Sequence, residues 1–139
     1  MKNYMEMKFS ASLKNVIFAR GAVAWFLLEQ DLQLNVINEI KTIVSEAVTN
    51  AIVHGYQNNS EEFVFMSLSL ENKELEIVIK DQGIGIENIE KAKEPLFSTR
   101  EEEERAGLGF TIMDIFSDVL EVKSELGQGT TIICKKNIE

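Results

Sequence analysis

Apolar residues recur along the chain with two distinct periods. Met5, Met7 and Phe9 alternate with Tyr4, Glu6 and Lys8, the period of a half-buried strand. Leu13, Val16, Ile17, Val23, Ala24, Leu27 and Leu28 then keep helical spacing, with Ser10 or Ser12 placed to cap that helix. After a connector over residues 30–34, a second helix is expected over residues 36–54, with Asn35 as N-cap and Gly55 as the C-terminal stop. Val36, Ile40, Ile43, Val44, Ala47 and Ala51 form its apolar stripe.

Residues 56–60 read as a polar turn. Val64, Met66, Leu68 and Leu70 alternate, Glu71-Asn72-Lys73 turns the chain, and Leu75, Ile77 and Ile79 alternate again, so these runs read as a hairpin. Asp81 ends its second strand. Residues 87–93 suit a short helix before Pro95. Residues 97–105 are charged and aperiodic and read as a mobile lid. Residues 107–116 are helical again. A last hairpin joins residues 119–124 to residues 130–135 through Gly127-Gln128-Gly129. Hairpins plus helices give one α+β domain over residues 1–139, a two-layer sandwich with a mostly antiparallel sheet and helices on one face.

Composition narrows the class. A chain that is 45% hydrophobic and 27% charged is an ordinary globular one. No apolar run approaches the roughly 20 residues of a membrane helix, and no basic apolar leader opens the chain. Cys134 is the only cysteine, which excludes an internal disulfide and a thiolate metal cluster. A cytoplasmic address, away from the membrane, is therefore expected. A net charge of −9 argues against direct nucleic-acid contact, which needs Lys and Arg for the phosphates, and suits a basic protein partner. Solubility alone also accounts for it.

Three short motifs follow in order: Glu46-Ala47-Val48-Thr49-Asn50-Ala51-Ile52-Val53-His54-Gly55, Asp81-Gln82-Gly83-Ile84-Gly85, and Gly107-Leu108-Gly109. At about 100° per residue, Glu46 and Asn50 fall about 40° apart at the edge of the apolar stripe. In this order the motifs resemble the GHKL nucleotide-binding fold of gyrase, MutL and histidine kinases. Within it the chain is most similar to the small anti-sigma factor kinases of spore-forming bacteria, along nearly its whole length.

The residue chemistry suits ATP or ADP with Mg²⁺. The Asp81 carboxylate accepts hydrogen bonds only, so it can take the amino group of adenine, while the carbonyl of guanine would be repelled. Gly83 and Gly85 let backbone approach the base and permit positive φ. In isolation the same residues make an ordinary strand-to-turn junction. Asn50 offers a neutral hard oxygen to Mg²⁺, which keeps waters and phosphate oxygens as its other ligands. Glu46 is a candidate general base, although a lone helix Glu is usually just solvated. The resemblance implies that it acts on a serine hydroxyl. Gly107, Leu108 and Gly109 open a helix whose free N–H groups can cradle phosphate.

Arg105 stands where the family pattern Gly-x-Gly-x-Gly has its first glycine. It supplies a cation for the γ-phosphate, with Arg100 as the alternative. The resemblance also implies that Thr130 supports Asp81. The β-branched strand residue is an equal reading. His54, the only histidine, sits at a helix C-terminus that favours imidazole regardless.

The resemblance implies an ATP-dependent protein serine kinase that binds and inhibits a sporulation sigma factor. It would phosphorylate an anti-anti-sigma factor on serine and act as a homodimer. Met5, Met7 and Phe9 are candidate interface residues on an edge strand, with plain core packing as the other reading, and Arg20 is a candidate docking cation or equally a snorkelling helix residue. The alternative is a non-catalytic, nucleotide-gated binding module. A detached histidine-kinase ATP domain fits poorly, because no helical segment with a phosphoacceptor histidine precedes the motifs.

Overall fold

The computed structural model describes residues 2–93 and 101–139, with residues 101–107 described through their backbone. Strands β1 (Asn3–Ser10), β2 (Phe63–Glu71), β3 (Glu74–Asp81), β4 (Val119–Glu125) and β5 (Gly129–Asn137) form one sheet. Their order is β1-β2-β3-β5-β4, and every neighbouring pair is antiparallel. Helices α1 (Asn15–Phe26), α2 (Leu34–Asn50), α3 (Ile89–Ala92) and α4 (Glu101–Phe116) complete the α+β architecture. No helix among the described residues is long and apolar enough to cross a membrane.

The period of two decides which sheet face is covered. Val64, Met66, Leu68, Leu75, Ile77, Ile79, Ile132 and Cys134 are buried and pack with Ile40, Ile43, Val44, Ala47 and Val48 of α2. Burying each of the Val, Leu, Ile and Met side chains among them contributes about 1.5–3 kcal/mol. Lys136 ties the layers together. Its ammonium lies 3.3 Å from Glu39 of α2 and donates to the carbonyl of Phe116 at the end of α4.

Of the two readings of Met5, Met7 and Phe9, the core one holds: they pack against the core, and the outward residues of β1 are Tyr4, Glu6 and Lys8. The register explains this, because Met7 pairs with the buried Met66 and Met5 with the buried Leu68. Other expectations are corrected: in α1 the buried residues are Ala19 and Val23 while Ile17 is exposed, as are Leu13 before the helix and Leu28 after it. Lys14 occupies its N-cap without a side-chain hydrogen bond, and α2 starts at Leu34 after Gln33, so neither the serines nor Asn35 caps a helix.

The largest change is at α4. The helix begins at Glu101, so residues 101–105 are helical rather than a lid, and Gly107-Leu108-Gly109 lies inside a helix instead of opening one. The run Glu101 to Glu104 favours this: glutamate has good helix propensity, and negative charge suits a helix N-terminus. The remainder of the expected lid, residues 97–100, and with it Arg100, lies outside the described residues.

Candidate nucleotide site

Asp81 closes β3 and is only 3% exposed. The strand phase points its side chain to the helix side, where Leu75, Ile77 and Ile79 also point. Its Oδ1 accepts the Gly83 N–H at 2.9 Å. Burial pushes its pKa from 3.8 up to about 6, and hydrogen bonds from the backbone of Gly83 and Thr130 act the other way. The carboxyl is thus mainly ionised at neutral pH. Two oxygens offer about four lone-pair sites, so it retains capacity for a further donor.

Glycines make room for this carboxylate. A methyl group on Gly55 would stand 2.7 Å from Asp81 Cγ, and one on Gly83 would stand 2.0 Å from the Gly55 carbonyl oxygen. Gly129 has φ +107, and a methyl there would meet the Asp81 carbonyl oxygen at 2.2 Å. Gly85 meets its expectation of positive φ, at +76. Gly83 does not have positive φ, and its need is close approach alone.

The loop after Asp81 is held from two sides. From the turn that follows α2, the Gly55 carbonyl accepts the Ile84 N–H at 2.9 Å. From the β4–β5 turn, Gly127 N–H donates to the Ile84 carbonyl at 2.7 Å, and Ser124 Oγ accepts the Ile86 N–H at 2.7 Å. Ser124 Oγ in turn lies 2.8 Å from the hydroxyl of Thr130. Thr130 is buried beside Asp81, its partner in the register. It acts on the carboxylate through its backbone amide, while its hydroxyl pairs with Ser124.

Helix α2 carries the other two groups. Asn50 is 7% exposed at its last position, and Glu46, one turn earlier, is half-buried. Glu46 meets α4, since a methyl group on Gly109 would stand 2.9 Å from Glu46 Oε2. The first motif therefore spans the site, touching the Asp81 loop at Gly55 and the third motif at Glu46. Leu108 is exposed and Gly109 buried. Gly107 and Arg105 lie on the backbone of α4, and the Arg105 side chain is outside the described residues.

These residues fit a nucleotide. The buried acceptor ringed by glycine backbone suits a flat base with an amino group. Among the described residues no group of three His, Cys, Asp or Glu could hold a metal. Asn50 would thus be one protein oxygen on a Mg²⁺ otherwise bound by phosphates and water, the usual habit of that ion.

Sequence reasoning missed Tyr56, Ser124 and Gly129, and read Gly55 only as a helix stop. Adjacency to the motifs was the available signal for Gly55 and Tyr56. Ser124 and Gly129 lie on the β4–β5 hairpin and reach the site because β5 pairs with β3, a non-local pairing that no local pattern encodes.

The fold is that of the histidine kinase-like ATPase domain. The model of the histidine kinase-like ATPase domain matches residues 9–136. Two relatives, both called anti-sigma F factor, come from Priestia megaterium and Clostridium acetobutylicum. The first is 48% identical over 139 residues, covering 99% of this chain and 95% of the relative. The second is 51% identical over 136 residues, covering 98% and 94%. A solved structure of the RsbU and RsbW domains of a Mycobacterium tuberculosis protein superimposes with a TM-score of 0.69 at 15% identity. It aligns with 98% of this chain, which spans only 32% of that one, and the likeness concerns the fold. The chain belongs to the histidine kinase-like ATPase family and, within it, to the anti-sigma F factors.

Proposed function

We propose that this protein is an ATP-dependent serine kinase and anti-sigma factor. It binds and inhibits a sporulation sigma factor and phosphorylates that factor's anti-anti-sigma antagonist on serine. The observation that carries this reading is the pair of carboxylates bridged by α2 and the turn after it: Asp81, buried and mainly ionised at neutral pH, against Gly55 of the turn, and Glu46 of α2 against α4.

In this reading Asp81 accepts the adenine amino group and Asn50 offers its amide oxygen to Mg²⁺, which screens the phosphate charge. Glu46 takes the proton of the serine hydroxyl as its oxygen attacks the γ-phosphorus. The bond to the β-phosphate oxygen breaks and ADP leaves. A positioned base contributes about 10²–10⁴-fold to such a step. Arg105 stabilises the γ-phosphate. A phosphate cradle at Gly107–Gly109 requires the first turns of α4 to open, because N–H groups inside a helix are already used. Each glycine lowers the helix's own preference by about 1 kcal/mol relative to alanine, which eases that opening.

The protein acts in the cytoplasm as a homodimer. Its helix-free sheet face, carrying Tyr4, Phe63 and Phe65, supports a second copy there better than the core-facing Met5, Met7 and Phe9. The chain's acidity supports a basic partner.

Incubation with γ-labelled ATP, Mg²⁺ and extract of sporulating cells tests the reading. Label on a serine of one small protein is expected. Absence of any labelled protein, with ATP bound, would leave only a nucleotide-gated binding module.

A further inference from the structure

Tyr56 directly follows the first motif and takes no part in the proposed phosphoryl transfer. Its ring is 7% exposed. Its hydroxyl makes two short hydrogen bonds, accepting the Gln82 N–H at 2.7 Å and donating to the Phe63 carbonyl at 2.6 Å. Gln82 is the residue after Asp81. The hydroxyl therefore fixes the peptide on which the buried carboxylate turns into its loop, and anchors it to the start of β2.

The route by which Tyr56 reaches that peptide is unusual. Beyond Asn50 the helix widens into a π-helical turn, Ala51–Gly55. The Tyr56 N–H bonds to the Ala51 carbonyl, five residues back, at 2.9 Å. A π-turn inserts one residue and so shifts the phase of the residues beyond it by about 100°. This brings two consecutive residues onto the Asp81 loop: the Gly55 carbonyl onto Ile84 N–H, and the Tyr56 hydroxyl onto Gln82 N–H. Asn50 is the last residue before the widened turn. One short segment thus connects the amide offered to the metal with the acid offered to the base.

A phenylalanine would fill the same buried space. The hydroxyl adds only the two hydrogen bonds, and one of them ends on the residue beside Asp81. Resting on the adenine reading of Asp81, we infer that Tyr56 is a positioning residue for base selectivity: its hydroxyl holds the Asp81–Gln82 peptide where the carboxylate meets the amino group of adenine.

Tyr56→Phe tests this by calorimetry with ATP, GTP and tripolyphosphate, each with Mg²⁺, well below the melting temperature. ATP affinity should fall about tenfold, the effect of one lost hydrogen bond at a polar site, while GTP and tripolyphosphate bind as before. In an Asp81→Asn background the same substitution should leave the ATP/GTP ratio unchanged, because the carboxylate it positions is gone. A purely structural tyrosine would lower the melting temperature and leave the ratio alone in both backgrounds, which overturns the inference. A wild-type chain with no preference for ATP over GTP would overturn the adenine site itself, and this inference with it.

A second variant keeps the fold in case the phenylalanine chain is unstable. The protein has two tyrosines, so 3-fluorotyrosine in a Tyr4→Phe chain alters only this hydroxyl. The weaker acceptor should lower the ATP/GTP ratio relative to Tyr4→Phe alone. An unchanged ratio would overturn the inference.

Discussion

Gly109 of α4 faces Glu46 of α2 so closely that a methyl group on it would stand 2.9 Å from the carboxylate oxygen Oε2. A carboxylate side chain can swing away from such a group, so Gly109→Ala should fold but misplace the base. Transfer to serine should fall roughly tenfold or more, since small displacements of a reacting group cost that much. Gly21→Ala is the matched control: its added carbon meets nothing within 4 Å in the interior of α1. It should raise stability by about 0.5–1 kcal/mol in urea melts and leave transfer unchanged. Normal transfer by Gly109→Ala would remove the steric link between α4 and the base.

Glu46→Gln separates chemistry from binding. It keeps size and helix propensity and removes the proton acceptor. Phosphoryl transfer should drop by about 10²-fold or more while ATP affinity stays near wild type. Binding of the sigma factor in the presence of ATP should persist. Single-turnover transfer at the wild-type rate would show that Glu46 is not the base.

Most of the fold was legible in the pattern of apolar residues, because burial of one strand face and one helix stripe is what those periods encode. The hairpin Phe63–Glu71 and Glu74–Asp81 and the stripe of α2 appear as expected. The start of α4 was not legible: glycines at 107 and 109 signal a break, and four consecutive glutamates outweigh them. Of the candidate site, Asp81, Glu46 and Asn50 were singled out from local motifs. Ser124 and Gly129 were not, because the β4–β5 hairpin that carries them approaches Asp81 only once β5 has paired with β3. The outward Ile17 of α1 and Leu28 just beyond it carry helical spacing without being buried, since spacing alone does not say how wide the covered stripe is.

The buried Asp81 predicts an unusual pH dependence of the nucleotide-free protein. Its folded-state pKa of about 6 lies above the ordinary 3.8, so the folded protein prefers the protonated form. The stability linked to this group is complete below the unfolded value and is lost as pH rises through about 6. The loss approaches about 3 kcal/mol at neutral pH, at roughly 1.4 kcal/mol per unit. Asp81→Asn carries no such charge. Its urea midpoint should exceed wild type at pH 7.5, with the gap closing toward pH 4.5. A constant gap across that range would show that the carboxyl titrates normally.

Arg105 is tested by comparing ATP with ADP. Only ATP presents γ-phosphate charge, and a guanidinium can grip it with two hydrogen bonds. Arg105→Ala should spare ADP affinity and weaken ATP affinity, transfer or both. Lys at this position should rescue only in part, having charge without the fork. An unchanged ATP/ADP ratio with normal transfer would remove Arg105 from the site.

The central claim is an adenine nucleotide site read by Asp81, and its most direct measurement is the thermal shift of wild type and Asp81→Asn with ATP or GTP and Mg²⁺. A ligand at a hundredfold excess over its Kd stabilises the native state by about 2.7 kcal/mol. Wild type should show a clear rise in melting temperature with ATP and a much smaller one with GTP. Asp81→Asn should lose most of the ATP response, because the amide can turn a donor toward the donor of the base. Equal shifts with ATP and GTP, or an undiminished ATP shift in Asp81→Asn, would contradict the account.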